Sequence, residues 1–492
     1  MAGLPAPDRV RVADHGPSSH REPRSFALKR IPRLLCLTTL CLAAFGHADR
    51  LPNIVLLIGD DHGYPYFGFM GDTNVVTPSM DALAAGGVTF SAGHTTAPYC
   101  RPSLRTLITG LHPIEYQLRL NERVEAQRAG SDWERMSPRD QAIWTTVHKA
   151  NGMASFDTLP KLLAAKGYVS WQGGKWWENS YRNGHFDEGM TEGWDMSLYG
   201  TDAFFHELMG SAGNELVRET MEPAYDFIDR HAERPMFLWF GPMLPHVPLD
   251  APYRYRKYYA DMDLSESARM YYANITWWDE GVGNLMDHIE SRGLLEDTLF
   301  IYLSDNGYEQ DADVEYVTDS EVPSPELASG GWTGKGALYD LSVRTPIVFY
   351  WKDRLAASFN ETSLVSSLDI VPTILDIAGV EVPQDLRGHS LKPLLEGQRT
   401  SSERTELIGY SDNRRSRVAM GERAEGYYVR THRWHFWWYA GTDDMRLYDV
   451  TVDPRGRRDL SAARPDLVEG FKRRIEAWKA EMGMPEAIPI YE

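Results

Sequence analysis

The run Asn53-Ile54-Val55-Leu56-Leu57-Ile58, closed by Gly59, constrains the fold of this chain more than any other segment. Every residue from Ile54 to Ile58 is apolar, so neither face of a strand built from it can meet water. Such runs belong in parallel sheets covered by helices on both sides. The pattern then repeats along the chain. Thr77-Pro78-Ser79-Met80-Asp81-Ala82-Leu83 reads as a helix start, with Thr77 at the cap and Pro78 in the first turn. A helical stretch from Thr158 to Lys166 precedes the strand Tyr168–Trp171, and another from Glu222 to His231 precedes Met236–Phe240. A longer helix over Ser265–Arg292 precedes Leu299–Leu303, and Pro346–Tyr350 is a further strand. Strands alternating with helices predict an α/β fold with a doubly wound, mainly parallel sheet flanked by helices.

At 492 residues the chain exceeds one ordinary hydrophobic core, so a second domain is expected. The pattern changes near residue 400. Glu425–Arg430 and Arg433–Tyr439 read as short antiparallel strands, and Pro465–Met482 as a helix. This predicts a main domain over 49–400 and a smaller C-terminal α+β subdomain over 401–492. An Asp/Glu/Ser-rich loop runs from Gln310 to Gly330.

Residues 1–33 carry seven Lys/Arg against three Asp/Glu, followed by the apolar stretch Leu34–Phe45 and Gly46-His47-Ala48. That is the order of a secretory signal with cleavage after Ala48, so residues 1–48 are read as a signal peptide and the protein as exported, periplasmic or extracellular. The stretch is too short to span a bilayer, so no stable membrane anchor is expected. Cleavage removes Cys36 and Cys41 and leaves Cys100 as the single thiol. It also removes seven basic and three acidic residues, taking the formal charge from −19 to −23. Nucleic acid is excluded as a partner, because binding it needs a basic footprint. A polyanionic substrate would be repelled at long range unless the pocket is locally basic or salt of about 0.5 M screens the field. The 15 Trp and 25 Tyr residues suit sugar rings, although most aromatic residues pack in cores.

Five polar clusters follow predicted strands, where ligands bind in open α/β sheets. Asp60-Asp61 follows the first strand, and Ser304-Asp305-Asn306-Gly307 follows Leu299–Leu303. Together they offer three carboxylates and an amide, hard oxygen donors suited to Ca²⁺ or Mg²⁺. Three carboxylates at one site repel each other without a cation, which predicts a metal, calcium ahead of magnesium. The remaining clusters are Gln172-Gly173-Gly174-Lys175-Trp176-Trp177, Pro245-His246-Val247-Pro248 and Gly334-Lys335-Gly336. Neither glycine-flanked lysine is followed by Ser or Thr, so neither forms a Walker phosphate loop. Cys100 lies in Tyr99-Cys100-Arg101-Pro102-Ser103-Leu104-Arg105, and Pro102 suits a helical first turn ahead of Gly110. Cys100 is therefore expected at a helix N-terminus beside Arg101 and Arg105, where an anion is stabilised.

Cys-x-Pro-Ser at 100–103, with Thr109-Gly110 beyond it, resembles the signature of the type I sulfatases of the alkaline-phosphatase-like superfamily. The resemblance runs from Asn53 through Ser367–Thr373 and Gly388–Leu391 to Leu447–Val450 and Asp453-Pro454. It implies that formylglycine-generating machinery oxidises Cys100 to 3-oxoalanine (formylglycine), whose hydrate is the nucleophile. It further implies that Asp60, Asp61, Asp305 and Asn306 hold a divalent metal together with the modified Cys100. Lys175 and Lys335 would then bind sulfate oxygens, with His246 on the leaving-group side. The implied substrate is a sulfate ester on a sulfated carbohydrate. Trp176, Trp177 and Tyr99 are either walls of a sugar subsite or core packing.

The chain departs from the family at two positions. The arginine usual four residues after the cysteine is Leu104 here, with Arg101 or Arg105 as replacements. The histidine of the family's Gly-Lys-Trp-His is Trp177, which cannot act as a base; His185 replaces it if its loop folds back. Two other functions compete with a sulfatase. One is a phosphate or phosphonate ester hydrolase of the same superfamily, against which Asn306 argues because those enzymes often carry histidine there. The other is a glycan-binding pseudoenzyme, motivated by Leu104 and Trp177.

Overall fold

The computed structural model describes residues 50–307, 334–411 and 425–484. The expected signal segment and the Gln310–Gly330 loop lie outside them. Nine strands form the larger sheet: β1 Asn53–Gly59, β2 Val88–His94, β3 Val169–Gly174, β4 Glu188–Gly189, β5 Met236–Gly241, β6 Thr298–Ser304, β7 Arg344–Trp351, β8 Ser358–Asn360 and β9 Val365–Ser366. Their order is β4-β3-β5-β1-β6-β7-β2-β8, with β9 also on β2. β1 runs parallel to both β5 and β6, while β7 is antiparallel to β6 and β2. The expected doubly wound, mainly parallel sheet is present.

β1 shows why the apolar run folds as it does. Val55 and Leu57 pack on one face with Met80, Phe227 and Trp278; Ile54, Leu56 and Ile58 pack on the other with Leu104, Tyr116 and Ile374. Each fully buried aliphatic side chain contributes roughly 1.5–3 kcal/mol, so a strand apolar on both faces is stable only at the centre of such a sandwich. The expected helices appear as Pro78–Gly86, Cys100–Thr109, Leu159–Ala164, Glu222–His231 and Glu266–Ser291. Thr77 stands at the N-cap of the Pro78–Gly86 helix as expected, but the carboxylate that satisfies the first turn is Asp279, which accepts from Ser79 N at 2.9 Å and Met80 N at 2.8 Å.

The smaller sheet is antiparallel, in the order β10 Glu406–Ser411, β11 Gly426–Thr431, β12 Trp434–Tyr439, β13 Met445–Asp449. The helix Pro465–Glu481 covers one face through Val468, Ile475 and Trp478. Tyr428, Trp437, Tyr439 and Tyr448 on the other face pack against Leu338 and Val343. That second contact sets the segment just beyond Lys335 onto the smaller sheet. No helix among the described residues is long and apolar enough to cross a membrane.

Candidate active site

Parallel register brings the first two acidic clusters together. Gly59 pairs with Ser304 at the ends of β1 and β6, so Asp60-Asp61 and Asp305-Asn306 emerge side by side. Asp61 adopts a left-handed backbone (φ 63°), its N–H donates to Asp305 Oδ1 at 3.1 Å, and its carbonyl accepts from the Tyr271 hydroxyl at 2.6 Å. On the other side of β1, β3 and β5 end at the paired residues Gly174 and Gly241. A Cβ on Gly174 would come within 1.9 Å of the Gly241 carbonyl oxygen, so only glycine allows the turn that delivers Lys175. Gly336 N donates to Pro98 O at 3.0 Å, tying the Lys335 turn to the residues just before Cys100.

These side chains meet at the sulfur of Cys100, the first residue of the helix Cys100–Thr109. Cys100 Sγ lies 3.8 Å from Asp60 Oδ1, 3.7 Å from Asp61 Oδ1, 3.2 Å from Lys175 Nζ and 3.5 Å from Asn306 Nδ2. Lys175 Nζ donates to both Asp60 oxygens at 2.6 and 2.8 Å, and Lys335 Nζ to Asp61 Oδ2 at 2.6 Å. His246 Nε2 is 3.5 Å from Asp61 Oδ2. Its Nδ1 donates to the Val247 carbonyl at 2.7 Å, because a carbonyl can only accept; Nε2 is left to face the cluster.

Burial dominates the electrostatics. It pushes the Asp60 and Asp305 carboxyls up to about 6, against the pull of Lys175 and Lys335. Burial also works against the charge of Lys175, but the Asp60 carboxylate outweighs it and holds the ammonium above its ordinary value. The Cys100 thiol is pushed well up, first by burial and then by Asp305. Cys100 begins the helix as expected, and at that place desolvation acts on the thiol more strongly than the cations near it.

The residues present fit a hard divalent cation. Asp305 Oδ2 and Asn306 Oδ1 are buried with no hydrogen-bond partner, which leaves two oxygen donors uncommitted. Ligand atoms of Asp60, Asp61, Cys100 and His246 lie within 4.8 Å of one another. Three carboxylates against two ammonium groups also leave the ionised cluster with one net negative charge, which repels an anion; a divalent cation reverses that sign.

A family model described as Sulfatase matches residues 52–380, and one described as N-sulphoglucosamine sulphohydrolase, C-terminal, matches residues 329–480. The chain belongs to the sulfatase family. Human arylsulfatase A is 27% identical over 87% of this chain and 83% of that protein. Canine N-acetylgalactosamine-6-sulfatase is 27% identical over 82% and 76%. The phosphonate monoester hydrolase of Agrobacterium radiobacter shares the fold, with a TM-score of 0.60 and 19% identity over 88% of this chain and 96% of that chain. This sulfatase is a sulfuric ester hydrolase, from a family that generally binds a divalent metal.

The departures from the family pattern take definite places. Leu104 is buried in the core with Ile54 and Ile374. Arg101 and Arg105, one turn apart, both chelate Glu178: Arg101 through two 2.9 Å bonds, Arg105 through bonds of 2.7 and 3.0 Å. Glu178 is buried, yet the two guanidiniums beside it hold its carboxyl down to about 2. Their place opposite Glu178 is an ion-pair clasp between the Cys100 helix and the Lys175 loop. Sequence reasoning missed Glu178; its signal was a lone acid three residues after Lys175.

Of the proposed sugar-subsite residues, Trp176 is core. It is 1% exposed, donates Nε1 to Ser180 O at 3.0 Å and packs edge-on against Phe186 and Trp239. Trp177 is half-buried, its ring 5.8 Å from Lys175 Nζ and edge-on to the exposed Phe205. Tyr99 is also half-buried, directly ahead of the Cys100 helix. His185 does not stand in for the missing histidine. Its Nδ1 contacts Thr158 Oγ1 at 3.0 Å, and the charged groups that act on its ring are Lys161 and Asp157, none of them a member of the Cys100 cluster.

Proposed function

We propose that this sulfatase cleaves the O–S bond of a sulfate ester on a sulfated carbohydrate, with Cys100, converted to formylglycine, supplying the nucleophilic oxygen. The observation that carries this reading is the convergence of Lys175, Asn306, Asp60 and Asp61 on one buried sulfur. A neutral thiol held by burial is a weak nucleophile. Its oxidation to an aldehyde, whose hydrate attacks sulfur, gives the same position a use. Asp60, Asp61, Asp305 and Asn306, with the modified Cys100, would hold calcium. When bound, the ion lowers the pKa of the attacking hydroxyl and offsets negative charge.

The chain's own residues account for the rest. Lys175 and Lys335 present ammonium groups to the sulfate oxygens and strengthen that contact as charge moves onto them. His246, protonated on both ring nitrogens with Nδ1–H held by Val247 O, would give its Nε2 proton to the departing alcohol oxygen and be left as the neutral ring. An alcohol of a sugar is a poor leaving group, so this proton is worth about 10²–10⁴ in rate. Trp177 and Phe205 offer an aromatic wall beside Lys175 for a pyranose ring, and the name of the canine relative points the same way. Export of the chain, read from residues 1–48, would place the enzyme where such glycans are met.

The fold is shared with a phosphonate monoester hydrolase, so turnover of nitrophenyl sulfate and nitrophenyl phosphate should be compared on the same enzyme. Faster sulfate hydrolysis is expected, because Asn306 leaves the metal position without a histidine. Faster phosphate hydrolysis overturns the reading. Glycan binding that persists with no turnover by the wild-type enzyme would instead mark a pseudoenzyme.

A further inference from the structure

Arg218 lies outside every motif, yet its guanidinium makes four hydrogen bonds to the His246 loop. Its side chain is 9% exposed. Nε donates to Met243 O at 3.1 Å, one terminal nitrogen donates to His246 O at 3.1 Å and Pro248 O at 3.2 Å, and the other pairs with Asp250. One planar guanidinium thus spans the loop from 243 to 250, which a lysine's single ammonium cannot do. Asn274 also holds the loop, donating to Pro245 O and Pro248 O and accepting from Ala251 N. The loop is also joined to the metal-binding turn, since Asp60 N donates to Leu244 O at 3.0 Å.

The backbone at Arg218 is itself fixed. Val217 has φ 66°, a conformation that β-branched residues rarely adopt, inside a tight turn closed by Val217 N to Thr220 O at 3.0 Å. The Val217 side chain docks on Gly281 of the helix Glu266–Ser291, where an added Cβ would come within 2.6 Å of it. The long helix therefore carries a glycine where the turn bearing Arg218 must approach.

We infer that Arg218 is a positioning residue for proton delivery by His246, acting through the backbone of the 243–250 loop. This rests on the reading of His246 as the proton donor. Nε2 must come within about 2.6–3.2 Å of the leaving oxygen for proton transfer. A displacement of about 1 Å can cost 10²-fold in rate. Removing the guanidinium takes its donor from the Met243 and His246 carbonyls, leaves Pro248 O to Asn274 alone, and lets the loop, with Nε2, shift.

The test uses a series of aryl sulfates of rising leaving-group pKa, from nitrophenyl to methylphenyl sulfate, with wild type, His246→Ala, Arg218→Ala, Arg218→Lys and the Arg218→Ala/His246→Ala double variant. A good leaving group departs without a proton, so positioning matters only at the poor end. For His246→Ala and Arg218→Ala alike, the loss in kcat should be at least ten-fold larger for methylphenyl than for nitrophenyl sulfate. The double variant should lose little beyond His246→Ala. If Arg218→Ala does not fold, Arg218→Lys carries the test, with a smaller loss of the same slope. An even loss across the series in the Arg218 variants, or none, overturns the inference. An even loss in His246→Ala overturns the proton-donor reading instead.

Discussion

Lys175 donates to both carboxylate oxygens of Asp60, at 2.6 and 2.8 Å, and the two side chains are 2% and 3% exposed. Taking two charges out of water costs several kcal/mol per ion, so a buried pair of this kind is weak evidence for stability. Its place beside Cys100 explains it better. The ammonium is held, charged, beside the proposed nucleophile, where a sulfate oxygen can take over from the Asp60 carboxylate once that carboxylate turns to a cation.

Removal of the divalent metal should silence and destabilise the enzyme. Chelator-treated protein is expected to lose turnover of nitrophenyl sulfate and to melt at lower temperature, with calcium restoring both. At 100 times its Kd a bound ligand stabilises the native state by about 2.7 kcal/mol. Unchanged turnover after exhaustive chelation would contradict the metal assignment.

Glu178 gives the fold a pH-dependent clasp. Burial works against its charge, but Arg101 and Arg105 hold its folded-state pKa at about 2, below the ordinary 4.5. The stabilisation is thus fully present above pH 4.5 and is lost as pH falls through 2. At 1.36 kcal/mol per unit this is on the order of 3 kcal/mol. Urea unfolding of Glu178→Gln and wild type should differ by about that much at pH 7, with the gap closing as the pH falls. A gap that does not change with pH would rule out the ionic account.

Much of the fold was legible because the central strands are apolar on both faces, as Ile54–Ile58 show, and because helix ends carry local signals such as Ser265, which caps the Glu266–Ser291 helix. β10 and β13 were not legible: Glu406–Ser411 and Met445–Asp449 are short and mixed, and they become strands only by pairing with β11 and β12. The residues of the Cys100 cluster could be named from motifs at strand ends. Partners brought from far away could not. Glu178 and Arg218 carry no motif, and His185 lies near Lys175 in sequence but is held by Thr158. Even the state of Cys100 depended on desolvation, which no local pattern encodes.

The smaller sheet should matter to Lys335. Asp340 lies 3.0 Å from His94 Nε2 and accepts from Arg430 Nε at 2.8 Å; burial works against its charge, but Arg430 ahead of His94 holds its carboxyl well below the usual range. His435 donates Nε2 to Leu338 O at 2.6 Å, three residues from Lys335. Asp340→Ala leaves Arg430 buried without its partner and should cost about 3–5 kcal/mol in urea unfolding. The same variant should raise KM for nitrophenyl sulfate more than it lowers kcat. A stability loss with KM unchanged would separate the sheet from the site.

Trp177 occupies the family's histidine position beside Lys175. Trp177→His restores a proton acceptor in a smaller side chain, and general-base help is worth about 10²–10⁴. An increase in kcat of about ten-fold or more is expected on nitrophenyl sulfate. No gain in a folded variant would mean that another group already serves as the base.

The central claim concerns one side chain, and mass spectrometry of the Cys100 peptide from active enzyme made in its native host reads it directly. The account predicts an aldehyde at position 100, in a fraction that tracks specific activity. An intact Cys100 thiol in protein that turns over sulfate esters would contradict it.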